Sequence, residues 1–167
     1  MQVDFSLYTS VDGASVMFRV DGPDGFAELA GHKVAVRGGT TTANALSNTI
    51  AELKIDVEIE AVNSHDTGLA RLESGPVSAC FADRTIFARL LSTKPESLRL
   101  SSQVFTYEPY AHALPRGDSE FRMLVDDTLA RLYRDGDNMQ LFLRSCGANA
   151  KPSDALTRLF QLNTLPQ

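Results

Sequence analysis

A run of six small or apolar residues, Val77 to Ala82 (VSACFA), stops at a carboxylate, Asp83. A strand this continuously apolar does not alternate between core and solvent. It belongs inside a sheet covered on both faces, the usual setting of parallel strands. The chain around it is built to match. Val16–Val20 (VMFRV) and Lys33–Arg37 (KVAVR) read as strands, and Asp56–Val62 (DVEIEAV) alternates as a half-buried strand would. Between them run amphipathic segments. One carries Ala43, Leu46, Ile50 and Leu53 at spacings of three and four, with the Thr40–Thr41–Thr42 run as its N-cap. A shorter one, around Thr67–Ser74, turns Leu69 and Leu72 inward and ends at Gly75. A third follows Asp83, with Ile86, Phe87, Leu90 and Leu91 on its apolar face, and LRLSS and QVFTY read as one or two further strands. Strands alternating with helices in this way predict an α/β sheet layered by helices.

The last 60 or so residues have a different character. Asp118 caps a long helix to about Asp135, with Phe121, Leu124, Val125, Leu129 and Leu132 on one stripe and Gly136 ending it. A short helix bearing Met139, Phe142 and Leu143 stops at Gly147. A last helix starts at Pro152 and carries Leu156, Leu159 and Phe160, and the tail from Asn163 reads as frayed. The expected division is a leading segment 1–9, an α/β portion 10–106 and a helical portion 107–167.

Composition excludes several function classes. With 167 residues, 43% of them hydrophobic, the chain can bury a core but is short for two complete domains. Sixteen Lys and Arg against 21 Asp and Glu leave a net charge of −5 and no basic stripe, so no nucleic acid is expected as partner. No apolar run approaches the ~20 residues of a membrane span. The N-terminus has neither the basic start nor the apolar core of a signal peptide. Cys80 and Cys146 form no CxxC or Cys/His cluster, so neither a metal nor a disulfide framework is expected, and Cys80 reads as a small buried hydrophobe. No cofactor is expected.

Open α/β sheets bind ligands beyond the carboxyl ends of their strands, and three polar features collect there. Arg37–Gly38–Gly39–Thr40–Thr41–Thr42 joins a strand to a helix. Glycine allows close backbone approach, the helix start offers free N–H groups, and the threonines add hydroxyls, which together suit a carboxylate or phosphate. The same residues serve equally as a tight turn with a Thr cap. Asp83 could pair with an ammonium group, or simply cap the next helix. His65 lies in another strand-to-helix loop, where a solvated role is the plain alternative. His32 and His112 carry no pattern, and Asp126 and Asp127 read as solvated on an exposed helix face. Arg116–Gly117–Asp118 reads as a turn running into a cap. No nucleophile elbow or Cys/His pairing is present, which favours capture over catalysis.

At these loops the sequence resembles the periplasmic solute-binding proteins of polar amino-acid ABC transporters, in particular the glutamate/aspartate-binding subgroup. The resemblance is carried by QVDFS at 2–6, LAGHKVAVRGGTT at 29–41, SHDTGLARLESGPVSACFADRTIF at 64–87 and YEPYAHALPRGDSEFRMLVDDTLARLYRDG at 107–136, in that order. It implies a type II periplasmic-binding-protein-like α/β fold, in which two lobes joined by hinge strands close on an amino acid. The chain would supply one complete α/β lobe, the hinge strands and the C-terminal helices of the other lobe. It implies that Thr41 and Thr42, with the backbone of Gly39 and Thr40, meet a ligand carboxylate. Asp83 would receive the α-ammonium, and His65 would face the ligand side chain. Arg37 is a further candidate by its position at the strand end.

The family's carboxylate-binding arginine would lie just upstream of Met1, so the opening half of the first lobe, roughly 100 residues, and any leader are expected to be missing. From that follow weak or no capture and uncovered apolar faces at Leu124, Leu132 and Phe142. A homodimer or tail-exchanged assembly is expected in consequence. The resemblance also implies a membrane permease as partner and a periplasmic location. The alternatives are an enzyme of the dehydratase type on the same scaffold, with His65 and Asp83 as its acid–base candidates, and a sensor or interaction module that binds no ligand.

Overall fold

The computed structural model of the chain describes residues 2–91, 96–147 and 151–164. They form two compact units, one from Gly13 to Tyr107 and one from the segment up to Asp12 together with Glu108 onward. The divisions fall a few residues from those expected at 9/10 and by one residue from that at 106/107. The reason is that the first strand continues to Asp12, where it is still in register with Glu108.

The unit Gly13–Tyr107 is a five-stranded mixed sheet. Its strands are β2 (Ala14–Arg19), β3 (His32–Arg37), β4 (Val57–Val62), β5 (Ala79–Asp83) and β6 (Leu98–Leu100), in the spatial order β4-β3-β5-β2-β6. β3 pairs parallel with both β4 and β5, whereas β2 runs antiparallel to β5 and β6. Successive side chains point to opposite faces, and the burial follows that rule. Val16, Phe18, Val34, Val36, Ala79 and Phe81 meet Leu46 of helix α1 (Thr41–Leu53) on one side. Met17, Ala35, Cys80 and Ala82 meet Leu69 and Leu72 of α2 (His65–Ser74) and Phe87 of α3 (Arg84–Leu91) on the other. Val77 and Ala79–Ala82 of the run are buried, and Ser78 half-buried, because the run feeds the middle of this three-layer arrangement.

Two expectations about strands are corrected. β4 is an edge strand with Ile59 exposed, so its alternation in sequence does not become alternating burial. Its edge is instead lined by ion pairs, Lys33 Nζ to Glu58 Oε1 at 2.7 Å and Arg71 Nη2 to Glu60 Oε2 at 2.9 Å, a charged fringe that discourages further strand pairing. QVFTY is not a strand. Phe105 donates one backbone bond to Ala14 O (2.9 Å) and packs its ring against Phe26 and Phe81, while Thr106 Oγ1 accepts from Ala14 N at 2.8 Å. The chain thus enters the unit at Gly13 and leaves it at Val104–Thr106 side by side. Only glycine fits at position 13, since a Cβ there would overlap Thr106 O and the Val104 side chain.

The other unit pairs β1 (Val3–Asp12) antiparallel with β7 (Glu108–Pro115) and adds α4 (Ser119–Asp135), α5 (Asp137–Cys146) and α6 (Asp154–Leu162). A two-stranded ribbon is marginal alone, and here helices fasten it. Leu7 N donates to Asp126 Oδ1 (2.7 Å), and Tyr8 O accepts from both Tyr133 Oη (2.9 Å) and Asn163 Nδ2 (2.6 Å). Tyr133 stacks on Phe160 at 5.6 Å between ring centroids. Asp126 is therefore a structural acceptor rather than a solvated surface charge, and Asn163 is held rather than frayed; residues 165–167 of the tail lie outside the described residues. α6 starts at Asp154, two residues beyond the expected Pro152, with Ser153 as its cap accepting from Leu156 N at 3.1 Å. Asp118 caps α4 as expected, accepting from Phe121 N at 3.0 Å.

Candidate ligand-binding site

Three loops leave the carboxyl ends of the adjacent parallel strands β4, β3 and β5, and so open at one edge of one sheet. The register fixes their order. Arg37 pairs with Val62, the last residue of β4, and Val36 pairs with Phe81, two residues before Asp83.

The central loop follows β3. Gly38 N donates to Val62 O at 3.0 Å, which ties this loop to the end of the neighbouring strand. Gly39 sits at φ +72°, a left-handed conformation that glycine adopts without cost. Thr40 then caps α1 twice over: its Oγ1 accepts from Ala43 N (3.1 Å) and donates to Arg37 O (2.8 Å). That leaves the N–H groups of Thr41 and Thr42, at the first helical positions, without an intrahelical acceptor. Thr41 is exposed. Thr42 is buried, and its hydroxyl donates to Asp83 Oδ1 at 3.0 Å.

Asp83, half-buried, is the last residue of β5 and pairs with Ala14 of β2. Arg84 begins α3, with its N–H on Gly13 O (3.0 Å) and its guanidinium on Ser101 O (2.7 Å), so the strand end is anchored from both sides. This anchoring by Arg84 was not apparent in the sequence, where only the carboxylate stands out. The third loop places Ser64 as the cap of α2, accepting from Thr67 N at 3.1 Å. Helix α2 therefore starts at His65, two residues earlier than expected, and His65 lies in its first turn rather than in a loop. His65, half-buried, and Arg37 line one crevice with Val62 and Ala82. Its volume of about 10 Å³ admits nothing larger than a water molecule.

The structure thus brings Arg37, Gly39, Thr40, Thr41, Thr42, His65 and Asp83 to one rim of the α/β unit. Chemically the rim offers helix-start N–H groups and hydroxyls, one exposed guanidinium, one imidazole and one carboxylate. Such a set can hold a group bearing both signs of charge. The guanidinium of Arg37 has no carboxylate partner among the described residues. Cys80, just beneath, takes no part: its Sγ donates to Gly68 O at 3.0 Å, and burial, with Glu60 nearby, pushes the thiol up to about 12. Among the described residues no group of three His, Cys, Asp or Glu could hold a metal ion, and no helix is long and apolar enough to cross a membrane.

Sequence comparison gives the rim a context. The chain is 30% identical over 119 residues to the glutamate/aspartate import solute-binding protein of Salmonella typhimurium, a match covering 70% of this chain and 39% of that protein. It is 24% identical over 144 residues to the L-glutamate/L-aspartate-binding protein of Pseudomonas aeruginosa, covering 84% of this chain and 48% of the relative. The chain spans less than half the length of these curated relatives. No family model matches. Among solved structures it resembles the second substrate-binding domain of a putative amino-acid ABC transporter from Streptococcus pneumoniae, with a TM-score of 0.76, 18% identity and coverage of 87% of this chain and 66% of that one. It also resembles an ancestral cationic amino-acid solute-binding protein (TM-score 0.74, 23% identity, 87% and 62%). At these identities the structural likeness establishes the fold.

Proposed function

Because this chain belongs with the periplasmic solute-binding proteins of polar amino-acid ABC transporters and has their type II α/β fold, we propose that its α/β unit binds a polar amino acid, an acidic one by preference. The observation that carries the reading is the gathering of three strand-end loops at one sheet edge, with Thr42 bonded to Asp83 and with Arg37 and His65 on a shared crevice. In this reading Asp83 receives the α-ammonium. Thr41, with the backbone around Gly39, Thr40 and Thr42, receives a carboxylate, and His65 and Arg37 face the side chain. Both curated relatives are named for glutamate and aspartate, which supports the acidic preference. Both are binding proteins by name, and the Salmonella protein a solute-binding protein of import, which supports capture rather than turnover. A membrane permease of an importer is the corresponding protein partner and the periplasm the corresponding location.

Arg37, Gly39 and Thr41 are exposed in the α/β unit. Their donors compete with water, so the affinity of this chain is weak, in the high-micromolar to millimolar range, about 4 to 5.5 kcal/mol. Isothermal titration with L-glutamate, L-aspartate and L-lysine tests the reading. The expected order places the acidic pair ahead of lysine. Asp83→Asn lowers affinity for all three by about tenfold or more through loss of a charge-assisted bond, and His65→Ala changes the order more than the strength. Equal heats for the parent and for Asp83→Asn would refute it. Of the side chains expected to be uncovered, Leu124 is exposed (62%) while Leu132 and Phe142 are half-buried; Leu124 and its equally exposed neighbour Met123 favour self-association of the chain.

A further inference from the structure

We propose that Thr42 is a positioning residue whose buried hydroxyl fixes the Asp83 carboxylate and leaves one oxygen, Oδ2, as the acceptor for a ligand's ammonium group. The inference rests on the amino-acid-binding reading above and refines one part of it. Thr42 and Thr41 are neighbours in sequence with opposite circumstances. Thr41 is exposed, and its hydroxyl has no partner among the described residues. Thr42 is 6% exposed, and its hydroxyl is committed to Asp83 Oδ1 at 3.0 Å.

A hydroxyl has a single proton and an ionised carboxylate can only accept, so the proton of Thr42 is spent on Asp83. Its side chain cannot then donate to a ligand carboxylate, a task that falls to Thr41 and the helix-start N–H groups. The bond joins the first turn of α1 to the end of β5, positions 41 residues apart in sequence. The backbone of Asp83 is already held by its pairing with Ala14, and Thr42 removes the remaining freedom of the side chain. No second bond to Asp83 is present among the described residues, so Oδ2 is the oxygen available. A carboxylate held in one rotamer before binding loses less freedom when the ligand arrives, which is how preorganisation raises affinity.

Thr42→Val keeps the β-branched shape and removes the hydroxyl, while Thr42→Ser keeps the hydroxyl. Two measurements on the full chain separate the possibilities. In ligand-free protein, the carboxyl-carbon NMR resonance of Asp83, assigned by its loss in Asp83→Asn, shifts in Thr42→Val and stays near the parent position in Thr42→Ser. In titrations with L-glutamate, Thr42→Val binds about tenfold more weakly, the scale of one hydrogen bond to a charged group, and Thr42→Ser stays within about threefold, with both variants melting cooperatively. An unmoved resonance in Thr42→Val overturns the inference whatever the titration gives. So does a moved resonance with parental affinity. If the parent binds none of L-glutamate, L-aspartate and L-lysine while the resonance moves as expected, the fixing of Asp83 by Thr42 stands and the amino-acid reading is what fails.

Discussion

Cys80 lies within β5 with its thiol on Gly68 O and burial holding it protonated, whereas Cys146, the last residue of α5, is half-buried. A thiol reagent at neutral pH is therefore expected to modify Cys146 in the folded chain and Cys80 only after denaturation, as mass spectrometry of the labelled peptides would show. The same burial makes stability depend on pH. The folded thiol titrates near 12 against an ordinary value of 9.0, so the unfolded chain loses its proton first. Stability from this group is complete below about pH 9 and falls as pH rises towards 12, by at most about 4 kcal/mol over three units. Cys80→Ala should flatten that alkaline limb in denaturant titrations. Gly13→Ala is expected to cost about 2 kcal/mol or more, or to prevent folding, because the added methyl would overlap backbone that has nowhere to go. The glycines and threonines of 38–42 announce a strand-to-helix turn through their residue types. The bond between Thr42 and Asp83 could not be read, since nothing local marks a contact between residues so far apart in sequence.

Among the elements, α4 shows the limit of periodicity. Phe121, Leu124, Val125, Leu129 and Leu132 make an apolar stripe in sequence, yet Phe121 and Leu124 are exposed and the buried residues are Ala130 and Tyr133. The face turned to β1 runs through Asp126, Ala130 and Tyr133, because Asp126 and Tyr133 bond the strand's backbone at Leu7 N and Tyr8 O. Spacing gives the period of a helix, and backbone polar groups in search of partners decide its rotation. Asp126→Ala should thus destabilise the chain by about 1.5–3 kcal/mol, the scale of a bond to a charged group, while the exposed Asp127→Ala should stay within about 0.5 kcal/mol; paired urea titrations would check this. Helix starts were more legible, since caps are local chemistry: Thr40 and Asp118 act where their residue types say they should. The segment QVFTY has the composition of a strand but, among the described residues, no ladder partner, only single bonds such as Phe105 N to Ala14 O. Strand pairing depends on the partner as much as on the segment.

For the whole molecule, the α/β class and the alternation of elements followed from one continuous apolar strand and its helical neighbours. The order β4-β3-β5-β2-β6, with β2 reversed, did not, since no residue marks which strands become adjacent. The open apolar side chains of the β1, β7 and α4 unit, among them Phe5 at 60% exposure, Tyr8, Met123 and Leu124, predict mass that rises with concentration in light scattering. Charged replacements at Met123 and Leu124 should reduce the rise without lowering the melting temperature by more than a few degrees. The α/β unit, by contrast, has its own two-sided core, and Gly13–Tyr107 produced alone should unfold in one cooperative transition. Because its incoming and outgoing chain segments touch at Gly13 and Thr106, a host protein would experience the grafted unit as little more than a lengthened surface loop. The rim that carries Thr41, His65 and Asp83 could therefore be transplanted as a cassette, and the amino-acid recognition proposed for it should travel with it.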